Sequence, residues 1–394
     1  MEESTETNEM RGGEMKRLLI ITLLLCLAAG LFACGEKEAE GITTTAQSIA
    51  ETTTGMPEPT TLSADAMFAT IQKAANSVKK LSNRLYYMEY AGDYGFSGFL
   101  ERGGAASAEE LAGYIAEVLS GGLANIDLSA IDFGCSTISA KLPGGGYGFG
   151  RNFDWNNCTA MIIKAVPVDG YASITTSNLD FLGFGAGFVP EGPLNKMLSL
   201  ACVYAPLDGM NEKGLCVAVL TINHPDETHQ NTGKPNLTTT TAIRLLLDRA
   251  ATVNEAIALL EQYDMHSDLG MMYHFAISDA EGRSVAVEYI NNIMHVTEAP
   301  VVTNFFLTPG ELYGVGHKTS RQRFDILSRL HEETHGTMSM DNIKEGLRTV
   351  RHSLFVEGGK TTQWSIVYHQ TSLELLFYHR ENFNSPYTFQ LTAN

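Results

Sequence analysis

The chain has 394 residues, of which 44% are hydrophobic and 18% are charged, so it can bury a sizeable core in one large or two medium domains. Its formal net charge of -18 argues against a nucleic-acid partner and against docking on anionic lipid through a basic surface, because both partners are negative. Cys26 and Cys34 lie in the N-terminal 34 residues, and the other four cysteines lack CxxC spacing, so they indicate neither a zinc knuckle nor a disulfide scaffold.

Residues 1–34 are predicted to be a signal peptide with a lipobox, and the composition of an export signal begins at Met15. Lys16 and Arg17 form a short positive region, and the apolar run 18–31 is shorter than the roughly 20 residues that a membrane-spanning helix needs. The ending Leu31-Phe32-Ala33-Cys34 is similar to a bacterial lipobox, in which the cysteine is lipidated and becomes the N-terminus; the alternative is a plain signal peptide with a chance cysteine. We expect an exported bacterial lipoprotein, anchored through Cys34 at the outer face of the cytoplasmic membrane.

Residues 1–14 do not fit a signal, because they are polar and acidic and precede the positive region. The run Arg11-Gly12-Gly13-Glu14 is what a purine-rich ribosome-binding site would encode in frame, so translation is expected to begin at Met15. Residues 35–65 are rich in Thr, Glu, Ala and Pro, and we expect a flexible tether because this segment has little apolar surface to bury.

Residues 66–134 are predicted to form a helical pro-segment or small subunit, with helices over 67–81 and 108–119 and Ser107 as the N-cap of the second. From Cys135 a catalytic domain, residues 135–394, is expected to show mixed patterning. Strands are predicted at 135–140, 147–153, 160–167, 214–222, 273–278, 284–288, 294–296, 363–368 and 374–378. Helices are predicted at 240–251, 253–263, 320–331 and 341–350, and hairpin turns at 208–209 and 211–214. This order predicts an α+β sandwich with helices packed on sheets.

The chemistry centres on the stretch Gly134 to Trp155, GCSTISAKLPGGGYGFGRNFDW. A thiol near pH 7 is mostly protonated and needs a base. Cleavage of the Gly134–Cys135 bond would give Cys135 an α-amine, whose ordinary pKa of about 7.7–8.0 suits that task. If the two predicted strands form a hairpin, Arg151 would favour the thiolate and Asp154 would orient the amine. The alternative is a buried, inert Cys135 with two charged groups at a strand end.

The motifs CST, GRNFDW, GMNEKGL, VTN and SR, in that order, resemble those of the linear amide C–N hydrolases of the N-terminal nucleophile superfamily. That grouping includes choloylglycine hydrolases, penicillin V acylases and acid ceramidase-like enzymes. The resemblance runs from Gly134 to the C-terminus, and it matches Cys135, Arg151 and Asp154 with the family's nucleophile, arginine and aspartate.

The resemblance implies a four-layer αββα sandwich and hydrolysis of a small-molecule N-acyl amide without a metal or organic cofactor. It matches Asn304 with an asparagine of the oxyanion site and Arg321 with a later active-site arginine. It also implies a substrate contact on the strand after GMNEKGL, where Thr221 and Asn223 are the two candidates. Asn211 is expected to be a turn residue.

The sequence also allows three other interpretations. His331 to His335 spells the zincin motif HExxH, but the following Gly336 predicts that the helix stops there, so we expect a charged helix end. A non-catalytic surface lipoprotein that binds acyl or peptide ligands is the alternative to an amidase. A papain-type peptidase ranks last, because Cys135 has a strand context rather than a helical one. If Cys135 becomes a terminus, the anchored segment must either stay bound as a subunit or release the enzyme.

Overall fold

Two stacked β-sheets form the centre of the protein in a computed structural model, which describes residues 64–120, 134–184, 187–268, 270–353 and 360–392. These residues belong to one compact unit, 62–394. The predicted export signal, the lipidation site Cys34 and the tether lie outside the described residues.

The described helices are α1 Ala64–Ser77, α2 Phe96–Glu101, α3 Ala108–Ser120, α4 Gly192–Leu198, α5 Thr239–Arg249, α6 Val253–Leu260, α7 Lys318–Glu333 and α8 Met340–Thr349. The described strands are β1 Lys79–Ser82, β2 Leu85–Ala91, β3 Gly134–Lys141, β4 Tyr147–Trp155, β5 Ala160–Val166, β6 Ser173–Asn178, β7 Asp208–Asn211, β8 Cys216–Thr221, β9 Asn236–Thr238, β10 Asp264–His266, β11 Tyr273–Ser278, β12 Ser284–Ile290, β13 Ile293–Glu298, β14 Val301–Thr303, β15 Thr361–His369, β16 Glu374–His379 and β17 Tyr387–Gln390.

The layer order is helix, sheet, sheet, helix. A nine-stranded sheet has the order β1-β2-β5-β6-β7-β8-β11-β12-β13, and a six-stranded sheet has the order β14-β3-β4-β15-β16-β17. Helices α1 and α5 pack on the first sheet, and α7 and α8 pack on the second. The two sheets meet between β3 and β8, and the Ser139 and Ser278 hydroxyls lie 2.9 Å apart across them. The predicted αββα sandwich is confirmed.

Strand β4 contains glycines where helix α8 approaches it closely. A Cβ added at Gly148 or Gly150 would lie 2.8 or 2.5 Å from the Ile343 side chain. Such separations are too short for real Cβ contacts, so this strand needs glycine on the face that α8 covers. The close packing places the helical layer directly over the β3–β4 hairpin that carries the predicted nucleophile.

The segment before Cys135 differs from the prediction of a purely helical layer. The helix predicted over 67–81 ends at Ser77, and the chain then forms β1 and β2. Strand β2 pairs in parallel with β5 along its whole length, from Leu85 opposite Ala160 to Ala91 opposite Val166. The helical prediction failed here because burial alternates along β2, which is the period of a strand. The N-terminal segment is therefore part of the main sheet.

The other predicted elements are confirmed within a few residues at each end, including the helices over 239–260 and the C-terminal β15–β16 hairpin. The Ser107 hydroxyl accepts a hydrogen bond from Glu110 N (3.1 Å), as a helix N-cap does. The turn predicted at 208–209 is wrong, since these residues lie within the buried strand β7. Strand β6, SITTSN, was missed because it is buried on both faces and shows no alternation.

The four cysteines of the described residues are buried and free of disulfides. Within the same part of the chain, no helix has both the length and the apolar character to cross a membrane.

Candidate active site

The β3–β4 hairpin brings Cys135, Arg151 and Asp154 together. In the antiparallel register Gly134 faces Asp154 and Thr137 faces Arg151. Arg151 Nη2 donates to Cys135 Sγ at 3.2 Å. A Cβ added at Gly134 would lie 2.9 Å from Asp154 Oδ2, so the carboxylate lies against the residue before Cys135. The hairpin geometry expected from the sequence is therefore present.

The Cys135 thiol is fully buried in the uncut chain, with Sγ 3.8 Å from the Val219 carbonyl of β8. Burial raises the pKa of this thiol from 9.0 to about 12, although Arg151 acts in the opposite direction. Burial therefore keeps the thiol protonated at neutral pH.

Arg151 is held by a buried carboxylate that the sequence did not reveal. Its Nη1 donates to Asp208 Oδ2 at 2.5 Å, and neither side chain is exposed. Asp208 also accepts hydrogen bonds from Trp364 Nε1 (3.2 Å), the Tyr368 hydroxyl (3.1 Å) and the Thr176 hydroxyl. These four donors fix the carboxylate, which in turn fixes the guanidinium facing Cys135.

Asn304 holds the backbone nitrogen of the candidate nucleophile. Its Oδ1 accepts from Cys135 N at 2.7 Å and from Arg323 Nη2 at 2.9 Å, while its Nδ2 donates to the Thr221 carbonyl at 2.7 Å. Two donors on the oxygen and a carbonyl on the nitrogen define the orientation of the amide. In the uncut chain Asn304 thus contacts the nitrogen of Cys135 that cleavage would turn into an amine.

Asp154 is buried at the open end of the hairpin. Its Oδ1 accepts from the Thr362 hydroxyl at 2.6 Å, and its Oδ2 lies 3.4 Å from Arg323 Nη1 and 3.8 Å from His352 Nε2. Two basic side chains, neither found from the sequence, therefore accompany this carboxylate.

Arg321 does not join the site, although the sequence predicted that it would. Its Nε and Nη2 donate to the Gly314 carbonyl (2.8 and 2.5 Å), and its guanidinium lies over the Phe305 ring. Arg323 reaches Cys135 instead, since its Nη1 donates to the Cys135 carbonyl (2.5 Å) and the Ser136 hydroxyl (2.7 Å). Residues two apart on a helix point about 200° apart, so only one of them faces the hairpin.

The two candidates after GMNEKGL differ in position. Thr221 is buried, is the last residue of β8, and binds Asn304 through its carbonyl. Asn223 is exposed and lies beyond the end of the strand, so the two do not share a strand face. Asn211, expected to be a turn residue, is the last residue of β7, and its Oδ1 holds the following turn by accepting from Lys213 N and Leu215 N.

The HExxH motif is split by the end of a helix. Helix α7 stops at Glu333, and His335 has a φ of 51°, in the left-handed region. His331 and His335 therefore do not lie on one helical face, as the sequence analysis expected. Across the described ranges, no group of three or more His, Cys, Asp or Glu side chains is placed to hold a metal ion.

Cys135 is thus a buried cysteine near the start of β3, at the point where the two sheets of the αββα sandwich meet. The model of the linear amide C–N hydrolases, choloylglycine hydrolase family, matches residues 135–306. The resemblance to this family that the motifs indicated is confirmed for that part of the chain.

Penicillin V acylase of Pectobacterium atrosepticum is 32% identical over 111 residues, which make up 25% of this chain and 29% of that protein. The chain thus aligns with under a third of this relative's length. Among solved structures, a mutant conjugated bile acid hydrolase from Clostridium perfringens covers 65% of this chain and 92% of its own at 18% identity, with a TM-score of 0.48. Penicillin V acylase from Agrobacterium tumefaciens covers 64% of this chain and 84% of its own at 18% identity, with a TM-score of 0.46.

Proposed function

We propose that the protein hydrolyses a linear, non-peptide amide C–N bond in an N-acyl substrate, with Cys135 as an N-terminal nucleophile after cleavage of the Gly134–Cys135 bond. One observation carries the proposal: the two reacting atoms of a single residue are held by different partners. Arg151 faces the sulfur at 3.2 Å, and Asn304 faces the backbone nitrogen at 2.7 Å. A buried structural cysteine needs no guanidinium at its sulfur, and the amide of a strand residue more commonly donates to a backbone carbonyl than to a side chain.

Cleavage would change the state of the thiol. In the uncut chain, burial raises the pKa of Cys135 to about 12. Release of an α-amine, with an ordinary pKa of about 7.7–8.0, provides a base on the same residue. Arg151 then stabilises the thiolate, and Asp154, which lies against Gly134, is placed to orient the new amine.

The reaction follows in two steps. The Cys135 sulfur attacks the substrate carbonyl carbon, and the C–N bond breaks as the α-ammonium gives its proton to the leaving nitrogen. Water, deprotonated by the α-amine, then attacks the thioester, which releases the carboxylic acid and restores the thiol. Asn304 positions the amine through its oxygen. The family's oxyanion role would use its Nδ2, which donates to the Thr221 carbonyl in the uncut chain.

We propose further that the segment before Cys135 stays bound after cleavage, so that an exported enzyme remains anchored through Cys34. Strand β2 lies inside the nine-stranded sheet, paired with β5. The buried Tyr94 hydroxyl donates to Asp248 Oδ2 of α5 at 2.6 Å. Separating the segment would expose this strand and remove the Tyr94 donor from Asp248 Oδ2, while Arg244 would still donate to Oδ1. The loss of the Tyr94 hydrogen bond alone costs about 1–3 kcal/mol.

The test is hydrolysis of a panel of N-acyl amides by purified residues 35–394, beside a Cys135→Ala variant. The panel includes N-acyl amino acids, penicillin V and a conjugated bile acid, and release of the free amine or amino acid is measured. Turnover by the parent protein and none by the variant is expected. Saturable binding without turnover by the parent would instead establish the alternative, a ligand-binding surface lipoprotein.

A further inference from the structure

The chain folds back on itself directly after Asn304, over residues 304–317. His317 N donates to the Asn304 carbonyl (3.4 Å), Phe306 N donates to the Val315 carbonyl (3.0 Å), and Gly314 N donates to the Phe306 carbonyl (2.8 Å). We call these residues the Asn304 loop. Any group that fixes the start of this loop also fixes the amide that contacts the nucleophile.

A carboxylate from the nine-stranded sheet fastens the inner side of the Asn304 loop. Glu288 Oε1 accepts from Leu307 N at 2.8 Å, and Glu288 Oε2 accepts from Thr308 N at 2.7 Å. Glu288 lies on β12 and is fully buried. A charge-assisted pair of hydrogen bonds to two successive backbone amides fixes the loop three and four residues after Asn304.

A histidine on the neighbouring strand supports this carboxylate. His274 on β11 lies directly opposite Glu288 in the strand register, and its Nδ1 lies 2.9 Å from Glu288 Oε1. The carboxylate oxygen can only accept, so Nδ1 carries the proton. His274 is also fully buried, and its Nε2 has no hydrogen-bond partner among the described residues. The family motifs include neither residue.

Glu288 is ionised despite its burial. Burial acts to raise the pKa of this carboxyl, but the hydrogen bond and charge of His274, together with the Thr308 and Leu307 contacts, outweigh it and lower the pKa below 4.5. The sheet therefore carries a buried negative charge whose described partners are the His274 imidazole and residues Leu307 and Thr308 of a single loop. Such a group is costly to bury unless its partners remain in place.

We propose that Glu288, oriented by His274, is a positioning residue that sets the Asn304 amide against the nitrogen of Cys135. Asn304 is hydrogen-bonded to that nitrogen, so a small displacement of the loop changes how the α-amine of Cys135 is held after cleavage. Arg321 fastens the same loop from its outer side through the Gly314 carbonyl. The loop is thus held from both sides, and the catalytic part of this inference rests on the proposed function.

The test compares Glu288→Gln with a matched control, Glu298→Gln, whose carboxylate is exposed on β13 and pairs with Arg283. Hydrogen exchange of the Asn304 loop is measured first, because it requires no substrate. Glu288→Gln is expected to speed exchange over 304–317 and to slow amide turnover about 10²-fold per folded molecule, with KM within about twofold, as misplacement of an active-site group does. Glu298→Gln is expected to change none of these.

Two further variants separate positioning from simple loss of stability. An asparagine at 274 keeps an N–H at the place of Nδ1, whereas a leucine of similar bulk does not. His274→Asn should therefore keep loop protection and turnover near the parent values, and His274→Leu should lose both. Equal loss in the two variants, or wild-type exchange in the loop of Glu288→Gln, would overturn the proposal. Parent protein without amidase activity but with the predicted exchange pattern would reject the proposed function while keeping the loop assignment.

Discussion

The buried Arg151–Asp208 pair is the strongest test of how the site is held. Replacing Asp208 with asparagine removes the charge that faces Arg151 at 2.5 Å, where neither side chain is exposed. At an effective dielectric constant of about 20, the lost attraction is about 6–7 kcal/mol at this separation. Desolvation already offsets part of it, so we expect the free energy of unfolding to fall by about 3–5 kcal/mol.

Urea unfolding measures this loss. Tryptophan fluorescence is a suitable probe, because Trp364 donates to Asp208 and is one of only two tryptophans in the chain. Asp341→Asn serves as the control. The Asp341 carboxylate that pairs with Lys344 is exposed, so its loss should lower the free energy of unfolding by less than about 1 kcal/mol. A double variant, Arg151→Met with Asp208→Asn, should be more stable than Asp208→Asn alone because no unpaired buried cation remains. Equal stability of Asp208→Asn and its parent would refute this reasoning.

Three further predictions concern the segment before Cys135, a buried cysteine and the two arginines of α7. Tyr94→Phe should weaken retention of the N-terminal segment after cleavage by about 1–3 kcal/mol, because Asp248 loses a buried donor. Gel filtration in graded urea would detect separation of the two fragments at a lower urea concentration. Unchanged co-elution would contradict this prediction. Burial raises the pKa of the Cys202 thiol above 9.0, so above pH 9 the folded chain keeps a proton that the unfolded chain loses. Relative to Cys202→Ala, the free energy of unfolding should be constant below pH 9 and fall by about 1.4 kcal/mol per pH unit above it. Arg323→Gln should slow amide turnover about 10²-fold or more, and Arg321→Gln should slow it far less, because of these two arginines only Arg323 contacts Cys135. A larger effect of Arg321→Gln would instead support the assignment made from the sequence.

The sequence predicted those parts of the site that depend on local spacing. Cys135, Arg151 and Asp154 lie on two strands joined by a short turn, so antiparallel pairing alone brings them together. The layered architecture was predictable for a similar reason, since most strands and helices show their period in the sequence.

Contacts set by tertiary packing could not be predicted in this way. Asp208 precedes a glycine and has the local pattern of a turn, yet it lies in a buried strand. Its carboxylate can be buried there because it accepts hydrogen bonds from Arg151 and three other donors. The choice between Arg321 and Arg323 depends on the rotation of helix α7 about its axis, which its N-cap at His317 and its packing on β14 determine. Glu288 and His274 lie on strands β12 and β11, outside the loop that Glu288 fastens. No motif marks either residue, so the sequence does not connect them with the loop.

Intact mass and N-terminal sequencing of residues 35–394, beside Cys135→Ala, test the central claim most directly. The parent protein should yield two fragments, one of which begins at Cys135, and the variant should remain a single uncut chain. A fully active parent that remains one uncut chain would contradict it, because the nitrogen that Asn304 holds would then be an amide rather than an amine.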